Sequence, residues 1–124
     1  MPTLHSYDYA YIQVTPRVER CEFIQAGVIL FCRTKRFLGA QLHLEEARLQ
    51  ALAPYLSIAT VRDHLDLIPR ICAGEGPFAA FDRAERFHWL VAPHSTVIQS
   101  SPVHSGLCQD PAAALEKLIL DFRF

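Results

Sequence analysis

Hydrophobic and polar positions alternate along residues 8–15. Ala10, Ile12 and Val14 form one row, and Tyr9, Tyr11, Gln13 and Thr15 the other. A period of two predicts a strand with one buried face. Pro16 ends it, because proline donates nothing to a ladder. From residue 23 to 32 both rows are apolar: Ile24, Ala26, Val28 and Leu30 against Phe23, Ile29 and Phe31. A strand buried on both sides is central in its sheet. Gly27 interrupts one row, which points to a bulge or to close approach of another backbone. Arg33 to Arg36 (RTKR) reads as a charged turn. Phe37 to Leu44 alternates again with Leu38, Ala40, Leu42 and Leu44 inward, so the two runs form a hairpin.

The period then changes. A helix is predicted from about Glu45, with acids in its first turn to suit the dipole, and Pro54 ends or kinks it. Thr60, with Asp63 three residues on, reads as a variant capping box. Val61, Leu65, Ile68 and Cys72 follow at helical spacing, opposite Arg62, Asp63, Asp66 and Arg70. This is an amphipathic helix, loosened by Pro69 and closed by Gly74, Gly76 and Pro77. Residues 78–85 read as a loop, 86–92 as a strand around Trp89, and 95–100 as its hairpin partner. Asp110 caps a last helix, Pro111 takes its first position, and Leu115, Leu118, Ile119 and Phe122 form its stripe. The expected order is β-β-β-α-α-β-β-α. It describes an α+β fold, an antiparallel sheet of about five strands with helices packed mainly on one face. Tyr9 and Tyr11 would mark a homo-oligomer edge or lie beneath a helix.

Length and composition narrow the picture. The chain has 124 residues, 51% hydrophobic and 20% charged, which fits one globular domain over 1–124. A net charge of −1 leaves no electrostatic footprint for nucleic acid. Arg33, Lys35 and Arg36 would carry a nucleic-acid reading, the weakest of those weighed. No charged n-region with an apolar h-region opens the chain. The uncharged run from Phe23 to Cys32 is far below the about 20 residues that span a bilayer. A cytoplasmic location is therefore the expectation.

Cys21, Cys32, Cys72 and Cys108 make no C-x-x-C pair and read as reduced thiols. Cys32 and Cys72 fall on apolar faces. Cys21 lies between Arg20 and Glu22, where arginine favours the thiolate and glutamate opposes it. His88, His94 and His104 lack the short spacing of a zinc site, so no metal is expected. His94-Ser95 and His104-Ser105 suggest nucleophile chemistry, but strand neighbours point to opposite sides and no nucleophile elbow is present. The glycines form no phosphate loop, and no cofactor is expected.

RVERCEFIQAGVILF, residues 17–31, places Arg17, Glu19, Arg20 and Glu22 at the entrance to the central strand. A solvated turn would also be charged, with ion pairs worth little. Arginines at a sheet edge grip carboxylates and phosphates. The two acids beside them oppose a free anion and suit a protein surface with its own charge pairs.

YDYAYIQVTPRVERCEFIQAGVILFC, FLGAQL and HWLVAPHSTVIQSSPVHSGLCQDPAAALEKL together resemble the bacterial family called domain of unknown function 3037. The most specific segments are P-R-V-E-R-x-E-F and S-P-V-H-S-G-L. The family pattern often has Asn two residues before the glycine; here Gln25 keeps the amide but sets it further out. The resemblance brings no catalytic residues. It implies a small accessory subunit, since family members are often encoded beside a HipA-like kinase. The residues themselves favour a non-enzymatic interaction module with Arg17, Glu19, Arg20 and Glu22, joined by His104 and Ser105, facing a protein partner. The alternative is a small hydrolase or transferase with His104 as base and Ser105 or Cys21 as nucleophile.

Overall fold

The computed structural model describes residues 3–17, 22–93 and 97–122, with the backbone alone at Phe122. The first three strands run as the alternation predicts: β1 His5–Val14, β2 Ile24–Cys32 and β3 Phe37–Leu42. All pairings are antiparallel, in the order β3-β2-β1-β4, and β5 also pairs with β1. The 33–36 turn closes the β2–β3 hairpin.

Gly27 marks a bulge, as expected. Ile12 pairs with Gly27 but Gln13 with Gln25, so Ala26 is the extra residue. Its carbonyl accepts from the His43 N–H at 2.8 Å. A Cβ on Gly27 would run into the Gln41 carbonyl, so only glycine lets β3 approach here. The bulge also shifts the alternation of β2 by one residue. Ile24, Ala26, Ile29 and Phe31 share one core, while Val28, Leu30 and Cys32 belong to the other. The expected row Ile24–Ala26–Val28–Leu30 is therefore split between faces.

Helices α1 (Glu46–Leu52), α2 (Ile58–Cys72) and α3 (Arg83–Val91) pack on the first core. In α2, Val61, Leu65, Ile68 and Cys72 are buried, as the stripe predicts. The cap is Ser57, not Thr60: the Ser57 hydroxyl accepts from the Thr60 N–H at 3.3 Å. Pro69 lies inside the helix without ending it. The end is closed by Gly74 N–H to the Ile71 carbonyl and Glu75 N–H to the Arg70 carbonyl. α4 (Pro111–Phe122) covers the opposite face, with Leu115 and Ile119 against Val28 and Leu30. Tyr7, Tyr9 and Tyr11 pack against this second core, so the tyrosine row lies beneath a helix.

Two readings need correction. Residues 86–92 are not a strand but most of α3. Asp82 and Glu85 form a reciprocal capping box, and Phe87 and Leu90 face the core at helical spacing. Phe87 stacks on Phe31 with ring centroids 5.5 Å apart. Trp89, the proposed pivot of that strand, points outward and is 49% exposed. The second hairpin is accordingly absent. Among the described residues of its other half, β4, Ile98–Ser100, is a strand and pairs with β1; residues 94–96, with His94 and Ser95, lie outside those described. The segment read as a polar loop is β5, His104–Cys108.

β4 and β5 pair in succession along one edge of β1. Ser100 faces Ile12, and His104 faces Tyr9, so the chain gains one residue at the 101–103 break. There Ser101 N–H donates to the Tyr11 carbonyl at 2.9 Å. The Ser101 hydroxyl accepts from the Tyr11 N–H at 2.8 Å. A side chain thus completes the ladder where Pro102 bends the strand.

Candidate interaction surface

β1 hands the chain to the charged stretch through an anchored corner. Thr15 N–H donates to the Val97 carbonyl at 2.6 Å, and Thr15 is buried. Pro16 follows, then Arg17 at the surface. The loop between α1 and α2 brings Tyr55 to meet it. Arg17 Nε donates to the Tyr55 hydroxyl at 3.2 Å, and the guanidinium carbon lies 5.3 Å from the ring centroid. Arginine on the face of a tyrosine gains cation–π attraction.

That loop is held from both sides. Gln50 Nε2 donates to the Pro54 carbonyl at 3.2 Å. Arg62 sends Nε and Nη2 to one Glu46 oxygen at 3.0 and 2.6 Å, tying α2 to α1. The pair is half exposed and adds about 1 kcal/mol at most.

Pro16, Arg17, Glu22, Leu52 and Tyr55 line a small cleft of about 90 Å³. Glu22 and Leu52 also border an open depression with Phe23, Ile24, Arg48 and Ala51. Phe23, Leu52 and Tyr55 are large apolar side chains left exposed at this one place. Aromatic bodies beside charges of both signs compose a surface suited to protein contacts. Sequence reasoning had Arg17 and Glu22 but missed Arg48, Leu52 and Tyr55, and it set Phe23 on an inward row. The available signal was Tyr55 directly after the helix-stopping Pro54, an aromatic with no periodic place in either helix. Glu19, Arg20 and Cys21 lie outside the described residues.

His104 and Ser105 stand elsewhere. His104 faces Tyr9 across the ladder, its ring centroid 5.4 Å from that of Tyr9 and 6.4 Å from that of Tyr11. The Ser105 hydroxyl donates to Asp8 Oδ1 at 2.8 Å. Gly106 faces Tyr7, whose ring occupies the space a Cβ would need. The H-S-G segment thus fits three successive cross-strand neighbours. Tyr9 precedes the end of β1 at Val14 by five residues, roughly 17 Å of strand. His104 also lies against Tyr9, which packs on the core beneath α4, whereas Tyr55 sits in the loop between α1 and α2. The structure does not bring His104 to the Arg17–Glu22 cleft.

The described cysteines Cys32, Cys72 and Cys108 are buried. Burial pushes the Cys72 thiol up to about 12, against a smaller lowering effect of Arg86. Burial, followed by the neighbouring Cys32, likewise raises Cys108. Neither is set up as a thiolate nucleophile at neutral pH. Among the described residues no group of three or more His, Cys, Asp or Glu is placed to hold a metal ion. No described helix is long and apolar enough to cross a membrane.

The sheet and this surface define the molecule as an open α+β scaffold presenting aromatic and charged side chains together at one corner. The chain belongs to the family described as protein of unknown function (DUF3037), whose model matches residues 9–122. Of the segments that carried the resemblance, Pro16, Arg17, Glu22 and Phe23 of the first lie at the charged corner, and S-P-V-H-S-G-L makes the strand break and most of β5. No curated protein and no solved structure matches the chain.

Proposed function

We propose that this protein is a non-enzymatic interaction or accessory module, and that the corner built on Arg17, Glu22, Phe23, Arg48, Leu52 and Tyr55 receives a protein partner. The observation that carries the reading is the Arg17–Tyr55 pair, an arginine laid on an exposed tyrosine amid two further exposed apolar side chains. Tyrosine and arginine are the residues that most often dominate binding energy at protein interfaces. Glu19 and Arg20 extend the same charged stretch. The partner class to test first is a HipA-like kinase, which the family resemblance suggests and no contact here identifies.

The test is calorimetric titration of the native protein, Tyr55→Ala and Arg17→Glu against the purified kinase. Tyr55 and Arg17 are exposed, so melting temperatures should stay close to native. Each variant should lose about 2 kcal/mol of binding. Native-strength binding by both would remove this corner as the interface. No complex with the native protein would remove the kinase as partner.

A further inference from the structure

A further recess shares no lining residue with the two at the charged corner, although Val97, whose carbonyl anchors Thr15, lines it. α2, α3 and β4 enclose a cleft of about 440 Å³. This falls within the about 300–1,000 Å³ typical of small-molecule sites. At its inner end it reaches Ile12 and Ile29 of the sheet, which are almost fully buried. Leu67 and Ile71 of α2 and Trp89 of α3 form its walls. Leu67 and Trp89 stand about half exposed at 46% and 49%, apolar surface that the fold by itself leaves in water. Among the described residues no Asp, Glu, Lys or Arg lines the cleft.

Polar groups reach it from His64, Gln99 and Ser100. Ser100 pairs with Ile12 and lies on the same side of β4 as the core-packed Ile98. Its hydroxyl donates to the Ser101 carbonyl at 2.8 Å, and the oxygen keeps acceptor capacity.

We propose that this cleft is a binding site for a compact, uncharged and largely apolar small molecule carrying one or two hydrogen-bonding groups. Charge is excluded because no opposite charge among the described residues lines the recess, and a buried unpaired charge is costly. The volume of the cleft is that of a small-molecule site rather than of a flat contact between subunits.

Trp89 is the one tryptophan of the chain, so the site carries its own reporter. The probe is prodan, an uncharged naphthalene ketone, titrated into the native protein. Saturable one-to-one binding is expected, with loss of Trp89 emission, a blue shift of the probe and a rise in melting temperature. Leu67→Arg sets a charge at the half-exposed mouth, and Ile71→Phe fills the wall without adding charge. Both should weaken binding by about tenfold or more while retaining the native circular dichroism. No saturable binding to the native protein overturns the proposal. So does equal binding by two folded variants, which would place the probe elsewhere. Sedimentation showing a dimer that Leu67→Arg dissociates would also overturn it, assigning the face to self-association.

Discussion

The hydroxyl of Ser101 accepts from the Tyr11 N–H at 2.8 Å and donates to the Pro102 carbonyl at 2.9 Å. Ser101 is only 8% exposed, so water does not readily replace it. Removing the hydroxyl orphans a strand N–H at the middle of β1, and leaving a buried donor unmade costs about 1–3 kcal/mol. Ser101→Ala should therefore lower stability by that amount in chemical denaturation. Ser105→Ala should stay within about 0.5 kcal/mol of native, because its bond to Asp8 is exposed. A larger loss at Ser105 than at Ser101 would contradict this account of the strand break. Nothing in S-S-P-V-H-S-G-L ranks these serines by itself: they are alike in type, and only their position against β1 separates them.

At the scale of elements, α3 shows which local signals outweigh which. Read around Trp89, residues 86–92 suggest a strand. Asp82 and Glu85 nevertheless carry a capping box in the sequence, and Ala84, Phe87, Leu90 and Val91 repeat at helical spacing. In the structure the Asp82 carboxylate accepts from the Glu85 N–H at 2.8 Å, and Glu85 accepts from the Asp82 N–H at 3.1 Å. Asp82→Ala should cost about 1 kcal/mol, seen as a lower denaturation midpoint. Asp82→Ser, which keeps a capping oxygen, should recover most of it. No difference between the two would mean the cap adds nothing to a helix held by Phe87 alone. β5 was not legible in this way. Its residues His104, Ser105 and Gly106 have turn-like composition, and they become a strand because β1 has an unpaired edge beside them.

The whole molecule is a sheet between two helical layers, and both layers bury groups that ionise at high pH. Burial raises Cys72 from 9.0 to about 12 on one face. On the other face burial raises Tyr7 and Tyr11, with Tyr9 adding to the effect. A thiol whose folded value exceeds its unfolded value favours folding fully below the unfolded value. That contribution fades as pH climbs from 9 toward about 12. The melting temperature should therefore fall across this window. The fall should be shallower in Cys72→Val, a substitution of similar bulk in the core. An unchanged slope in that variant would assign the alkaline transition to the tyrosines.

Period and punctuation settled much of this protein from the sequence. The alternation of β1, the twofold apolar rows of β2, the hairpin into β3, the stripe of α2 and the Asp110–Pro111 start of α4 are local, and local sterics and hydrogen bonding decide them. The charged stretch after Pro16 was also visible as a candidate surface. Tertiary structure decided the rest. The Ala26 bulge reassigned the rows of β2 between two cores because Gly27 lets β3 come close. The second face received α4, since Val28, Leu30 and the tyrosine row needed cover that the first three helices could not reach. Tyr55 joined Arg17 from 38 residues away, and His104 settled against Tyr9. Such meetings depend on which faces pack together, a property of the folded chain that no window along the sequence contains.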